Sequence, residues 1–205
     1  MTEIEFKKYP KTPRLFRDIV VTEKIDGTNA QIYIGEDGEF LTGSRNRWCT
    51  PENDHYKFSF WAHTYKDELI EGLGPGRHFG EWWGHGIQRG YGCQYGEQYF
   101  SLINGGRWCT SKEYQRNRPT MDPRIEKLQD IIPNIEGLSV VPILEWLIPF
   151  DLDEIRDLLK TLKQHGSFAA NKFNDPEGLV IWHQYSNTLF KYTFDDLPKG
   201  LQKRS

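Results

Sequence analysis

Four short stretches each set a reactive charged residue inside an apolar run. They are "EKIDG" (23–27), "FGEWWG" (79–84), "EGLVIW" (177–182) and "LFKYT" (189–193), and the residues are Lys24, Glu81, Glu177 and Lys191. Singly, each has an ordinary structural role. A lysine on a strand is solvated, and a glutamate beside two tryptophans is a hydrogen-bonded structural carboxylate. Glu-Gly after Asp175-Pro176 is a turn, and Lys191 between Phe190 and Tyr192 guards a sheet edge. Together they supply the parts of one reaction at phosphorus. A lysine amine attacks phosphorus only when neutral, and with a reference pKa near 10.4 only about one lysine in a few thousand is neutral at pH 7. Nearby cations, a second lysine or a metal, favour the neutral form. Carboxylates bind a ribose hydroxyl or a hydrated Mg²⁺. A second lysine neutralises the phosphate on which charge develops.

Such chemistry needs strands to hold it. Alternation predicts that Val21, Glu23 and Ile25 share one face of a strand, with Thr22, Lys24 and Asp26 on the other. Strands are expected over 19–25 and 28–34 and, after the turn "GEDGE" with its Asp37-Gly38 hairpin signal, near 39–43. Phe58, Trp61, Ala62, Tyr65, Leu69 and Ile70 recur at helical spacing, which predicts a helix over 54–72 stopped by Gly72 and Gly74. "RHFGEWWG" (77–84) and "QYFSLIN" (98–104) are strand candidates around the glycine-rich loop "GHGIQRGYGCQYG". Asp122-Pro123 opens a helix to about Ile132. "SVVPILEW" (139–146) is a buried strand whose proline suits an edge. Asp151 with Glu154 forms a capping box for a helix ending at Gly166, and "GLVIWH" and "TLFKYTF" close the pattern as two strands.

Strands outnumber helices and the helices are interspersed, so the expected class is α+β. No linker or compositional break divides the chain, so one domain over 1–205 is expected, with residues 1–18 ("KKYPKTPRLFR") as an extended basic arm. "RWCT" occurs at 47–50 and 107–110 without further similarity, so it does not indicate a repeat fold.

The formal net charge of −3 over 205 residues excludes a general polyanion binder and confines any nucleic-acid surface to a local patch. Mean hydropathy is −0.69, yet 14% of residues are aromatic, so the core is expected to rest on Trp, Tyr and Phe. No run approaches the ~20 apolar residues of a membrane span, and "MTEIEFKKYP" is no apolar signal segment. The cysteines, Cys49, Cys93 and Cys109, form no CxxC pair, which argues against a zinc site or a disulfide framework and for a reducing cytoplasm.

The order and spacing of the four stretches resemble the ATP-dependent RNA ligases, a branch of the covalent nucleotidyltransferase superfamily that includes DNA ligases and mRNA capping enzymes. In that superfamily a Lys-x-Asp-Gly motif supplies the lysine that becomes linked to a nucleotide monophosphate. "EKIDGTN", "GSRNRW", "HFGEWWG", "EGLVIWH" and "FKYT" are similar to stretches of small phage-type RNA ligases, and the likeness covers about 18–195. The resemblance implies a ligase domain with antiparallel sheets flanked by helices and the active site between the sheets. It implies Lys24 as nucleophile, Asp26 supporting ribose or metal, Gly27 making the tight turn, and the backbone around Glu23 and Lys24 meeting the adenine edge. Arg45 would contact ribose and the 5'-phosphate end, and Glu81 the ribose hydroxyls. Phe100, or Ile103 near it, would stack on adenine, and Val180 would cover the base. Glu177 would assist metal and phosphate chemistry, and Lys191 is the first lysine of a last motif usually reading Lys-x-Lys. Here Thr193 stands where a second lysine is common, and Lys199 is a candidate substitute.

The resemblance further implies ATP and Mg²⁺ (or Mn²⁺) as cofactors, a lysyl-AMP intermediate, and RNA ends bearing 5'-phosphate and 3'-hydroxyl as substrates in RNA repair. It implies a cytoplasmic site of action, the host's if the chain is phage-encoded. A separate RNA-binding or end-healing protein is a candidate partner, since no C-terminal OB or helical domain is expected. The alternatives are a DNA nick ligase, a capping-type guanylyltransferase, or a non-catalytic nucleotide-binding relative. The glycine-rich loop lacks G-K-[ST] and does not match a P-loop; a flexible loop near a polynucleotide groove, using Arg89 and Tyr91, is expected instead. Basic residues with aromatics (Lys7, Lys8, Tyr9, Arg14, Arg17; Arg45, Arg47, Trp48; Arg116, Arg118) could track a backbone and stack bases.

Overall fold

The computed structural model describes residues 4–103 and 135–196. Two sheets dominate. The smaller has the order β10-β9-β1-β8, built from β1 (Asp18–Lys24), β8 (Ile143–Pro149), β9 (Gly178–His183) and β10 (Thr188–Thr193). The larger has the order β4-β3-β2-β5-β6-β7, from β2 (Thr28–Ile34), β3 (Phe40–Ser44), β4 (Trp48–Cys49), β5 (Gly76–Gly84), β6 (Gln98–Leu102) and β7 (Leu138–Val140). All pairings are antiparallel except β6 with β7. Helices α1 (Phe58–Thr64), α2 (Lys66–Leu73) and α3 (Leu152–His165) complete an α+β fold of antiparallel-dominated sheets.

Each sheet buries one face against helix. Ala30, Ile32 and Ile34 of β2, with Trp82 and Phe100, pack on Phe58, Ala62, Leu69 and Leu73 of α1 and α2. Ile19 and Val21 of β1, with Leu179 and Ile181, pack on Ile155, Leu159 and Leu162 of α3. The period of two along each strand therefore turns the alternate residues toward the space between the sheets. A third cluster of Ile25, Trp83, Tyr91 and Val141 joins the two layers.

Several expectations are corrected. The helix foreseen over 54–72 is two helices meeting at Tyr65 (φ −108°, ψ 26°), which lets Phe58 and Ala62, then Leu69 and Leu73, all face the sheet. Asp54 does not begin it. Tyr56 and Lys57 have positive φ, and the Asp54 carboxylate instead accepts from the N–H groups of Ser59 and Phe60 (2.7 and 2.8 Å), satisfying free donors of the first turn. The strand foreseen over 139–146 is divided between β7 and β8, which lie in different sheets. Val141-Pro142 is the crossing, where a residue without N–H loses no ladder bond. Asp151 is the N-cap of α3, accepting from Asp153 N and Glu154 N (2.8 and 3.3 Å), and Gly166 ends it with φ 84°. Residues 4–17 carry no helix or strand and are exposed. The helix foreseen at 122–132, the second "RWCT", Cys109, Arg116, Arg118 and Lys199 lie outside the described residues. Among the described residues, no helix is long and apolar enough to cross a membrane.

Candidate active site between the sheets

Lys24 is the last residue of β1 and Thr28 the first of β2, so Lys24-Ile25-Asp26-Gly27 carries the chain from one sheet to the other. The alternation holds: Val21, Glu23 and Ile25 are buried, while Thr22, Lys24 and Asp26 are partly open on the other face. Gly27 is required by close approach. A Cβ there would meet Trp82 O at 2.4 Å and Trp83 Cβ at 2.8 Å. The second crossing lies alongside, with Glu23 N–H donating to Pro142 O (2.9 Å).

The Lys24 ammonium donates to Glu177 Oε2, and both side chains keep some exposure, 25% and 19%. Glu177 immediately precedes β9, whose Gly178 pairs in register with Lys24. Across the space, β5 brings in Glu81. Its Oε1 accepts from Gly27 N–H (3.2 Å) and its Oε2 from Asn29 Nδ2 (3.1 Å). Burial pushes the Glu81 carboxyl up to about 7, with Lys24 and the Gly27 bond opposing the shift and the charges of Glu177 and Asp26 adding to it. Those Coulombic influences group Lys24, Asp26, Glu81 and Glu177 in one cluster.

The glycine-rich loop is docked on this cluster through Tyr91 and Arg89, the two residues expected to serve a polynucleotide groove. Tyr91 OH accepts from Asp26 N–H (2.8 Å), and its ring packs on Phe173 and Trp83. Arg89 Nε donates to Asp26 Oδ2 (2.9 Å) and its Nη1 to Asp175 Oδ2 (2.6 Å). One guanidinium therefore ties the segment after Lys24 to the segment before Glu177. Sequence reasoning missed this clamp, because the pairing partners lie 63 and 86 residues away along the chain.

The remaining expected residues fall in different places. Val180 lies on the inner face of β9, in register with Thr22 on one side and Lys191 on the other. Lys191 is exposed, two strands from Lys24 on that same face. Thr193, in register with Gly178, donates from N–H and Oγ1 to Asp196 (both 2.8 Å). Glu23 turns its carboxylate away from Lys24, accepting from Ser167 Oγ, Phe168 N–H and Ala169 N–H (2.6, 2.7 and 3.0 Å). Burial holds that carboxyl above the usual range, against those three bonds. Arg45 is exposed in the turn between β3 and β4 and makes no ion pair with this cluster. Phe100 is corrected. It is 0% exposed on the helix-covered face of the large sheet, its ring 5.1 Å from that of Phe58, because it pairs with Trp82 rather than Glu81. Ile103, just past β6, instead packs on the cluster around Ile25 that joins the layers.

The paired-sheet architecture is similar to that of solved RNA ligases. The model of the RNA ligase family matches residues 17–193, and the chain belongs to that family. Among solved structures, the fold is similar to RNA ligase variants of Naegleria gruberi. One, with ATP and Mn, has a TM-score of 0.56 and 23% identity over 86% of this chain and 49% of that one. Another, with AMP and Mn, has a TM-score of 0.55 and 21% identity over 87% and 50%. A third, without ligand, has a TM-score of 0.54 and 20% identity over 87% and 50%. The chain thus spans about half the length of these solved relatives. No curated protein matches the chain.

Proposed function

We propose that the protein is an ATP-dependent RNA ligase that joins a 5'-phosphate RNA end to a 3'-hydroxyl end through AMP carried on Lys24. The observation that carries this reading is the Lys24–Glu177 pair on a Lys-x-Asp-Gly crossing, opposite Glu81, in a chain of the RNA ligase family. Lys24 Nζ, as the free amine, forms a bond to the α-phosphorus of ATP. The bond from that phosphorus to the bridging oxygen breaks, pyrophosphate leaves, and the amine's proton passes to Glu177, its hydrogen-bond partner. An oxygen of the RNA 5'-phosphate then attacks the AMP phosphorus, the N–P bond breaks and Lys24 regains its proton. The 3'-hydroxyl attacks the 5'-phosphate phosphorus, loses its proton, and AMP leaves.

Glu81 binds the ribose hydroxyls, which suits a carboxyl held by two neutral amide donors and facing the cleft. Asp26 stays aligned through Tyr91 and Arg89, and Lys191 adds positive charge from β10. The oxygen donors of Glu177, Glu81 and Asp26 suit a hard cation. Among the described residues no three His, Cys, Asp or Glu side chains form a ready-made cage, so Mg²⁺ or Mn²⁺ would be held by Glu177 together with phosphates and waters. When bound, such an ion neutralises phosphate charge as the pyrophosphate departs.

The test is capture of label from α-labelled ATP or GTP on the parent protein and on Lys24→Ala. The expected result is capture from ATP alone, abolished in Lys24→Ala with the fold intact. An adduct that still forms on Lys24→Ala would overturn the assignment. Equal sealing of nicks with ribose or deoxyribose at the acceptor end would move the reading to a DNA ligase.

A further inference from the structure

The face of the large sheet that carries Glu81 continues away from Lys24 as an exposed aromatic surface. One transverse row runs Trp48, Gly43, Gln31, Phe79 across β4, β3, β2 and β5. It lies two residues, about 7 Å, along the strands from the row that pairs Asn29 with Glu81. Trp48 and Phe79 are 45% and 54% exposed, although the opposite face of the same strands is sealed by α1 and α2. Glycine at position 43 lets the Trp48 ring lie down on the sheet, since a Cβ there would meet Trp48 Cε3 at 2.9 Å. Arg77 supports the arrangement. Its guanidinium carbon lies 5.2 Å from the centre of the Trp48 ring and 5.4 Å from that of Tyr33, and its Nη1 donates to Gln31 Oε1 (2.5 Å). No carboxylate pairs with Arg77 among the described residues.

We infer that this row is a base-stacking platform for the single-stranded part of an RNA end, leading into the site of Lys24 and Glu81. Flat, half-exposed rings give sequence-tolerant contacts to bases, and a guanidinium without a carboxylate partner among the described residues suits a phosphate beside them. The platform opens on one side to Glu81. On the other it ends at the β2–β3 turn, where Glu36, Asp37 and Glu39 would repel a polyanion, so the strand is directed toward the cleft. This assignment rests on the RNA ligase reading for its occupant, and commits to RNA over a second copy of the chain.

The experiment titrates a short, fluorescently labelled, single-stranded 5'-phosphate RNA with the parent protein, Trp48→Ala, Phe79→Ala, Trp48→Phe, Arg77→Gln and Lys24→Ala. AMP capture from ATP, melting temperature and gel-filtration volume are followed alongside. Each alanine variant is expected to weaken RNA binding on the order of tenfold, with Trp48→Phe restoring most of the loss. Arg77→Gln should reduce the slope of log K against log salt by about 0.7. In the Trp48, Phe79 and Arg77 variants AMP capture and melting temperature should stay at parent values, whereas Lys24→Ala should lose AMP capture and keep parent RNA affinity. Unchanged RNA affinity in both alanine variants overturns the platform, as does a loss that appears only with lowered melting or with a shift in oligomeric state. RNA binding needs no ATP, so the two proposals fail separately. Ring-dependent binding in a parent that captures no AMP keeps the platform and rejects the ligase chemistry. AMP capture with ring-independent binding does the reverse.

Discussion

The two sheets meet the cleft with different kinds of group. Besides the exposed Lys191, the four-stranded sheet brings charges that already have charged partners: Lys24 with Glu177, and, just beyond the strands, Asp26 and Asp175 on Arg89. The six-stranded sheet brings one carboxyl, Glu81, whose hydrogen-bond partners are neutral amides, and beside it an aromatic surface. The charged cluster and the aromatic surface are thus built on separate layers, each with its own helix-backed core. Two adjacent chain crossings, 25–27 and 141–142, bring them together over the cluster of Ile25, Trp83, Tyr91 and Val141. Neither sheet alone holds the whole set.

The largest break in this division should come from removing a carboxylate on either side. Glu177→Ala and Glu81→Ala should each slow AMP capture on the order of 10²-fold, as the loss of a positioned electrostatic group does. Parent-like rates in both would make both strands scaffold. Next comes the joint itself. Gly27→Ala drives a Cβ into Trp82 O and Trp83, and overpacking of that kind costs about 1–3 kcal/mol, to be read by denaturant unfolding alongside capture rate. A fully stable, fully active Gly27→Ala protein would show that the crossing has slack.

The neutral partners of Glu81 can be tested by pH. The folded state keeps the Glu81 proton up to about 7, whereas the unfolded chain releases it near 4.5. Between those values the folded state binds more protons, so this group's contribution falls as pH rises, and its full cost is present above about 7. Glu81→Gln cannot ionise. Its melting temperature relative to the parent should therefore climb across that window and then level off; parallel curves would mean that Glu81 is solvated like a surface carboxylate. The smallest effect belongs to the clamp. Arg89→Gln removes partly exposed ion pairs worth up to about 1 kcal/mol each. Capture should slow several-fold with little change in melting temperature, and an unchanged rate would make the clamp dispensable.

What could be foreseen from the sequence followed from local rules. The period of two put Lys24 and Glu23 on opposite faces, and the burial of Glu23 with Val21 and Ile25 agrees. The carboxylate of Asp151 and the freedom of Gly166 delimited α3, because capping involves only neighbours in the chain. What escaped depended on register between distant segments. Phe100 and Ile103 could not be told apart until the pairing of Trp82 with Phe100 assigned the ring to the helix side. Pro142 was visible, but not that it hands the chain to the other sheet. Arg89 was visible as a cation in a loop, but its two carboxylates come from segments far away in sequence.

The central claim is that Lys24, held by Glu177 at the crossing between the sheets, forms the covalent bond to AMP. The most direct measurement is peptide mapping by mass spectrometry of the parent protein after incubation with ATP and Mg²⁺. The account predicts one added AMP on the peptide containing Lys24, removed when pyrophosphate is supplied. An AMP adduct on another residue, or none on a folded protein that seals RNA, would contradict it.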